Sequence, residues 1–346
     1  MNFARESIFG GALRSFCTSF ASVIGILIAL ISVVFGIAVL MGPNYLPDKA
    51  QLMIMPNSEG ESLLLPVNTP AILRIDFHGI IGLGNLTTEK IQNILLNSRE
   101  DLLKNDRVKG ILLHMNTPGG TVTDADAIYR AILAYKAKYN VPVYAYIDGL
   151  CASGGMYIVS AADKVYSTPV STIGSVGVIM GPTFNFTETL TAIGVSSLTL
   201  TEGKDKDMLN PFRPWKPDEA ASLTTIMASL YERFVAIVTT ARPKLDKEKL
   251  INEYGAHVFI AQKAQQLGYI DVADSDYNHA LKALVEATGV DEKTDYQVVQ
   301  LYPPRPFFPS FMESAFKPSK ITHTLELGPH FNSELSGKFL YLYQPN

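Results

Sequence analysis

The sequence has little cysteine and no cluster of basic residues, and each absence excludes a class of protein. Only two of the 346 residues are cysteines, Cys17 and Cys151, which excludes the disulfide framework of small secreted domains. The six histidines form no H-x-x-x-H pair, and no CxxC motif is present, so we expect no bound metal. The net charge of −4 comes without a lysine- and arginine-rich stripe, so we expect no nucleic-acid partner.

Charged residues are also scarce, at 18%, whereas hydrophobic residues make up 47%. This balance excludes a disordered chain and indicates a globular or membrane protein. Residues 16–41 are apolar and uncharged, a run longer than the about 20 residues that a helix needs to cross a bilayer. The apolar region of a cleavable signal peptide is shorter, at about 7–15 residues. We therefore predict a retained transmembrane anchor.

The charges beside this anchor predict its orientation. Arg5 and Arg14 precede the anchor, and Lys49 is the only base shortly after it. By the positive-inside rule, residues 1–15 are cytoplasmic and the rest of the chain is extracytoplasmic. The prediction is a single-pass membrane protein, with its globular part outside the cytoplasm and its anchor in contact with lipid.

Beyond the anchor, the sequence predicts a linker over 42–69, a globular domain over 70–295 and a proline- and aromatic-rich tail over 296–346. Within the domain, short apolar runs alternate with segments of helical spacing. The first predicted strands cover 71–81, 108–115 and 141–147. This alternation indicates βαβ units and an α/β fold with a mainly parallel sheet, in which ligands bind at the carboxyl ends of the strands.

Glycine-rich turns follow two of these strands. Ser153 lies in the turn 149–155 and is followed by two glycines, an arrangement that can project its hydroxyl from a strand-to-helix turn. The amide of Gly154 would then be an oxyanion donor. In the other turn, the backbones of Gly119 and Gly120 can approach a ligand closely. Each turn alone is also compatible with a structural role, such as a helix cap at Ser153.

A serine nucleophile needs a base, and none of the histidines has a sequence context for that role. The segment 201–211 offers Lys204 and Lys206. An ordinary lysine is neutral in roughly one molecule in a thousand near pH 7.4, so a lysine base must be desolvated. The residues alone are more typical of a solvated loop and leave the choice of lysine open. Cys151 fits a small buried hydrophobe better than a nucleophile.

Five segments occur in a recognisable order. They are Asn116-Thr-Pro-Gly-Gly, Ala152-Ser-Gly-Gly-Met-Tyr-Ile, Thr172-Ile-Gly-Ser-Val-Gly-Val, residues 203–211, and residues 264–271, AQQLGYID. Together they resemble the signal peptide peptidase A (protease IV) family, including its SohB-like relatives, a membrane-bound branch of the ClpP/crotonase fold. Thr117 departs from the pattern, since serine is usual there. The resemblance extends over about residues 70 to 290.

The resemblance implies a serine endopeptidase with a Ser-Lys dyad and no cofactor. Ser153 would be the nucleophile, and Lys206, three positions after Gly203, would be the base. Ser175 would form a hydrogen bond to the lysine and orient it. The family also implies a homo-oligomeric ring in which serine and lysine meet across a subunit boundary. Its substrates would be remnant signal peptides or other membrane-associated peptides.

Two other functions compete with this one. A crotonase-type acyl-CoA hydratase or isomerase shares the fold and the glycine loops, but it needs neither Ser153 nor Lys206. A catalytically inactive membrane scaffold would need neither residue, and both are present.

Overall fold

The computed structural model describes residues 8–41, 51–290, 295–302 and 338–343. The N-terminal helix and the globular domain belong to separate units. Helix α1, Ile8–Met41, begins before the predicted anchor and contains it. Its stretch Phe9–Gly36 is long and apolar enough to cross a membrane.

The globular domain alternates strands with helices, as predicted. Its strands are β1 (Gln51–Met55), β2 (Ala71–His78), β3 (Val108–Thr117), β4 (Gly119–Thr121), β5 (Val143–Ala152), β6 (Lys164–Ser167), β7 (Thr172–Gly174), β8 (Val258–Ile260), β9 (Gln297–Tyr302) and β10 (Leu340–Leu342). Its helices are α2 (Thr88–Asn97), α3 (Val122–Tyr139), α4 (Gly154–Val159), α5 (Thr187–Ala192), α6 (Ala221–Ala241), α7 (Lys247–Lys249), α8 (Ala261–Leu267) and α9 (Tyr277–Ala287). A 3-10 turn covers Asp101–Leu103, and a π turn covers Leu250–Tyr254.

The main sheet has the strand order β1-β9-β2-β3-β5-β7-β8, and β6 also pairs with β5. All pairs from β9 to β7 are parallel, whereas the outer strands β1 and β8 are antiparallel to their neighbours. A separate antiparallel pair joins β10 to β4. The prediction of an α/β domain with a mainly parallel sheet is confirmed.

Both faces of the central strands are buried, which explains their nearly continuous apolar sequences. On one face, Leu73, Ile75 and Phe77 of β2 belong to the larger hydrophobic core. On the other face, Ile72 belongs to a smaller core with Leu281 of α9. Strands β3 and β5 are packed on both faces, so the turns that follow their carboxyl ends are held in place by the hydrophobic cores.

The sheet extends beyond the predicted domain boundaries of 70–295. Strand β1 lies in the predicted linker and β9 in the predicted tail, and they pair with each other. Strand β10 also lies in the predicted tail. The buried valines Val298 and Val299 explain why β9 belongs to the core. The linker residues 42–50 and the proline- and aromatic-rich run at 303–310 lie outside the described residues.

Helix α6 is also long and apolar enough to cross a membrane. Its residues Phe234, Val235 and Val238 are buried in the larger core. We therefore assign α6 to the globular domain.

Candidate active site

Ser153 lies where β5 ends and α4 begins. Its backbone has a φ of 53° and a ψ of −113°, a conformation that L-residues adopt rarely and at a cost of order 1–3 kcal/mol. The Ser153 amide donates to the carbonyl oxygen of Gly174 at 2.9 Å, and its carbonyl oxygen accepts from the amide of Tyr157 at 3.1 Å. Its side chain does not cap α4, so the helix-cap alternative is not what the structure shows. Strained backbone at a strand-to-helix turn is typical of a nucleophile.

Cys151 is fully buried, and burial raises the pKa of its thiol well above the ordinary range. A thiol in this state is not ionised at neutral pH and is therefore inert. The prediction that Cys151 acts as a small core hydrophobe agrees with this environment.

Gly119 and Gly120, in the turn that follows β3, lie against the turn that carries Ser153. A Cβ on Gly119 would lie 2.6 Å from the amide nitrogen of Gly154, and one on Gly120 would overlap the backbone of Ile81. Gly119 also has a φ of 98°, which favours glycine. The structure therefore brings the three predicted oxyanion residues together, and only glycine fits at 119 and 120.

Thr117 determines which backbone amide of the turn 117–120 could serve as an oxyanion donor. Its hydroxyl donates to the carbonyl oxygen of Gly79 at 2.6 Å and accepts from the amide of Gly119 at 3.0 Å. The Gly119 N–H is thus engaged within its own turn, whereas the Gly120 N–H is directed at β10 across the β4–β10 pair. Of the two, the Gly120 N–H is the better candidate for an oxyanion donor. Gly154 is the first residue of α4, so its N–H has no acceptor within the helix.

Ser175 follows β7, the strand beside the end of β5. The register pairs Ala152 with Gly174, so Ser153 and Ser175 occupy equivalent positions at neighbouring strand ends. Ser175 has a φ of 58°, and its amide donates to the carbonyl oxygen of His257 at 2.8 Å. The structure therefore places the two predicted serines side by side.

The predicted base lies elsewhere on the single chain. Lys206 and Lys204 are both exposed, in a run of turns between α5 and α6. The Lys206 amide donates to the carbonyl oxygen of Gly203 at 3.3 Å. Within the described part of the chain, no hydrogen bond joins either lysine to Ser153. The structure assembles the serine and oxyanion residues without the lysine.

A charged network beside Lys206 holds its segment in shape. The Arg213 guanidinium donates to Asp207 at 2.6 and 3.1 Å and to Glu219 at 2.6 and 3.1 Å. The hydrogen bonds from Arg213 lower the pKa of Asp207 and, with those from the Lys216 and Leu209 amides, lower the pKa of Glu219 to about 2. Both carboxylates are therefore ionised at neutral pH. Sequence analysis did not identify this network, although its charge alternation is visible.

The described residues contain one cluster that could hold a metal ion, formed by Asp76, His78 and His114. Arg74 donates to Asp76 at 2.7 Å and lies 2.7 Å from His114 Nδ1. Burial alone would raise the Asp76 pKa, but hydrogen bonds from His114 and Arg74 lower it well below its usual range. The guanidinium thus already compensates this carboxylate, and the cluster is an ion-pair network at the ends of β2 and β3.

Strand β10 also reaches this site, and sequence analysis missed it. Leu340, Tyr341 and Leu342 pair antiparallel with Thr121, Gly120 and Gly119. The alternating aromatic and leucine residues at 339–343 are a short strand signal. The prolines that precede them made the whole region look like a tail.

Comparison with known proteins identifies the fold family and the enzyme family. The family model for peptidase family S49 matches residues 136–291, which include Ser153, Ser175 and Lys206. The family model for Clp protease matches residues 72–194. The predicted ClpP-like fold is confirmed, and the crotonase-type hydratase and the inactive scaffold are not supported.

Three relatives agree with this assignment. A protein of Enterococcus faecium, provisionally named signal peptide peptidase SppA, is 28% identical over 68% of this chain and 70% of its own. A provisionally named protease of Synechocystis sp. is 30% identical over 58% of this chain and 68% of its own. Protease 4 of Salmonella typhi is 28% identical over 65% of this chain, which spans only 36% of that longer protein. The chain therefore belongs to peptidase family S49, and its activity is that of a serine peptidase.

Proposed function

We propose that the chain is a membrane-anchored endopeptidase in which Ser153 is the nucleophile and Lys206 the base. The Ser153 oxygen attacks the scissile carbonyl, and neutral Lys206 accepts the hydroxyl proton. The amides of Gly154 and of the Gly119–Gly120 loop stabilise the oxyanion. The lysine then protonates the leaving amine and activates a water, which hydrolyses the acyl-enzyme.

The strained backbone of Ser153 carries this proposal. A φ of 53° persists because the Gly174 carbonyl and the glycine loop hold the turn from both sides. Backbone strain of this kind clusters at active sites and ligand-binding sites. Ser175 lies at the neighbouring strand end, where its hydroxyl would orient the incoming lysine.

We infer that Lys206 reaches Ser153 from a neighbouring subunit of a homo-oligomeric ring. The segment around Lys206 exposes large apolar side chains, including Leu198 at 84% and Leu200 at 85%. Phe184, Phe186 and Ile193 add to this surface. Exposed apolar patches of this kind mark protein interfaces, and burial in an interface would desolvate the lysine.

The proposed substrates are remnant signal peptides or other membrane-associated peptides. A relative named for signal peptide cleavage supports this class, and helix α1 would hold the enzyme at the membrane where such peptides remain. The charges of Arg5, Arg14 and Lys49 favour an extracytoplasmic domain on the bacterial inner membrane. The proposed reaction uses protein groups and water and requires no cofactor.

Peptide hydrolysis by the full chain in detergent tests the dyad. We expect Ser153→Ala and Lys206→Ala each to lower kcat by about 10⁴-fold or more, while Lys204→Ala, a matched change two positions away, leaves it nearly unchanged. Mixing the two inactive variants tests the ring, because subunit exchange would restore some complete sites. Full activity in Ser153→Ala would refute the nucleophile, and full activity in Lys206→Ala would refute the base.

A further inference from the structure

Helix α4, which begins beside Ser153, is short and depends on other elements to stay in place. All six of its residues are buried. A helix of this length satisfies few of its own backbone groups, because the last four carbonyl oxygens of an α-helix have no partner within it. The position of Ser153 therefore depends on what holds the other end of α4, about 9 Å away at 1.5 Å per residue.

A buried arginine holds the far end of α4. Arg242 directly follows helix α6 and is only 5% exposed. Its Nη2 donates to the carbonyl oxygen of Ala162 at 2.9 Å and to that of Val159 at 3.3 Å. Val159 is the last residue of α4, and Ala162 lies in the turn after it. The arginine thus supplies donors to carbonyls at the helix end, and its positive charge lies at the negative end of the α4 dipole.

Asp271 fixes this guanidinium against the main sheet. Arg242 Nη1 donates to Asp271 Oδ2 at 2.7 Å. The same oxygen accepts from the amide of Val165 in β6 at 2.8 Å, and the Asp271 amide donates to the Val165 carbonyl oxygen at 3.0 Å. Asp271 is the last residue of the segment 264–271, AQQLGYID, and the reaction proposed above uses no residue of that segment. Its carboxylate joins Arg242 to β6.

Stability alone does not account for a charge at this position. Burial lowers the pKa of the Arg242 guanidinium despite the nearby Asp271 carboxylate, and its Nε has no hydrogen-bond partner among the described residues. Replacing a buried ion pair by apolar side chains of similar volume is often neutral or stabilising. An apolar side chain, however, cannot fix the direction and distance of two carbonyl groups. That geometric constraint on α4 is what the arginine adds.

The beginning of α4 is packed so closely that it cannot move without disturbing the site. A Cβ on Gly155 would lie 2.8 Å from the Thr117 methyl group and 3.3 Å from Cys151 Sγ. Thr117 belongs to the oxyanion turn, and Gly154 supplies the other proposed oxyanion donor. A slide or rotation of α4 would therefore change how Ser153 and Gly154 are aligned with that turn.

We propose that Arg242 is a positioning residue for the nucleophile, and that Asp271 holds the guanidinium in the orientation which this role requires. Arg242 lies at the opposite end of α4 from Ser153, so it acts through the helix. The inference rests on the proposed function, because it takes Ser153 as the nucleophile. A misplacement of about 1 Å can lower a rate by about a hundredfold. The expected signature is a fall in kcat with little change in KM.

The first test compares Arg242 with a second buried arginine, in the full chain in detergent. Arg107 is 7% exposed and donates to the carbonyl oxygens of Thr69 and Leu102 at 2.6 and 3.0 Å. It directly precedes β3, whereas the site follows the carboxyl end of that strand. Arg242→Met should lower kcat for peptide hydrolysis by about ten- to a hundredfold, with KM changed by less than about twofold. Arg107→Met should lower the melting temperature and leave the kcat of the folded chain unchanged.

Arg242→Lys keeps the charge, but an ammonium group cannot reproduce the planar fork that bonds Asp271 and both carbonyls at once. Its kcat should lie at least about threefold below that of the natural chain and above that of Arg242→Met. This variant decides the question if the methionine variant does not fold. Equal effects of Arg242→Met and Arg107→Met on kcat, or natural activity in a folded Arg242→Lys chain, would overturn the proposal.

The second test measures the reactivity of Ser153 directly. In the reaction with a fluorophosphonate, the serine oxygen bonds to phosphorus, fluoride leaves and the hydroxyl proton passes to the base, and mass spectrometry locates the labelled residue. Labelling of Ser153 should be about ten- to a hundredfold slower in Arg242→Met than in the natural chain, and no slower in Arg107→Met. Equal rates at Ser153 in the natural chain and in Arg242→Met would refute the positioning role. A natural chain that is not labelled at Ser153 would instead refute the proposed function.

Discussion

The amide of Ser153 donates to the carbonyl oxygen of Gly174 at 2.9 Å, and this bond holds two serines at adjacent strand ends. Ser153 and Ser175 have similar positive φ angles, 53° and 58°. Two neighbouring strands of one sheet are thus each followed by a serine with a positive φ. Under the proposed function, this shared position would make Ser175 a positioning residue for the base that reaches Ser153.

Ser175→Ala should therefore lower kcat by about ten- to a hundredfold with little change in KM. The chain should remain folded, because the amide that bonds to His257 is retained. Ser171→Ala is the matched control. Its hydroxyl donates to the Ile147 carbonyl oxygen at 3.0 Å and serves the fold, so its loss should lower the melting temperature without the selective fall in kcat. Equal effects of the two changes on kcat would contradict the positioning role.

Arg213→Gln should impair catalysis more than stability. The change removes the guanidinium that donates hydrogen bonds to both Asp207 and Glu219. The turn that carries Lys206 should therefore become less ordered. Because these ion pairs join residues within one short segment, we expect the free energy of unfolding to change little, while kcat falls about tenfold. Lys216→Gln removes a neighbouring charge that donates no side-chain bond to either carboxylate among the described residues, and it should leave kcat unchanged. Urea unfolding and peptide hydrolysis measure the two effects.

Thr117 and Gly155 should be coupled energetically. A Cβ on Gly155 would lie 2.8 Å from the Thr117 methyl group, so Gly155→Ala should destabilise the chain by about 1–3 kcal/mol through overpacking. Thr117→Ser removes that methyl and keeps the hydroxyl that bonds to Gly79 and Gly119. The double variant should recover at least about half of the loss, as a double-mutant cycle by urea unfolding would show. Additive losses would contradict the contact.

Asp124 should make stability depend on pH in acid. Burial alone would raise its pKa, but hydrogen bonds from the Thr121 and Thr88 side chains and the Thr88 amide lower it. A group whose pKa is lowered on folding stabilises the protein above its unfolded pKa of about 3.9. That contribution is lost as the pH falls through the lower folded value. Asp124→Asn should thus cost about 1 kcal/mol at pH 7, and its difference from the natural chain should shrink below about pH 4. A constant difference across that range would exclude this origin.

The fold and the serine half of the site were predictable from the sequence because their signals are local. Apolar runs ending in glycine identify β3 and β5, and the carboxyl ends of parallel strands converge on one edge of a sheet. Ser153 and Gly120 follow directly from that rule. Ser175 needed the family resemblance, since a single serine after a three-residue strand has no distinctive pattern.

The remaining features depend on contacts that are distant in the sequence. Strand β9 joins the sheet by pairing with β1 and β2, which lie more than two hundred residues earlier in the chain. No local sequence pattern could predict that pairing. Tyr341 lies in a segment whose composition resembles a tail, yet its ring is among the most buried in the chain. Lys206 is exposed on the single chain, and under the proposed ring its environment would be determined by a partner surface.

Strand β10 joins the domain from far along the chain, and this position has a consequence for any shortened form of the protein. Its backbone pairs with β4 at Thr121, Gly120 and Gly119, and the ring of Tyr341 is fully buried against Phe234. A chain that ends before residue 338 would leave that edge of β4 unpaired and expose the apolar surface around Phe234. Unpaired strand edges and exposed apolar surface favour aggregation, so we expect the globular domain to need these residues for solubility.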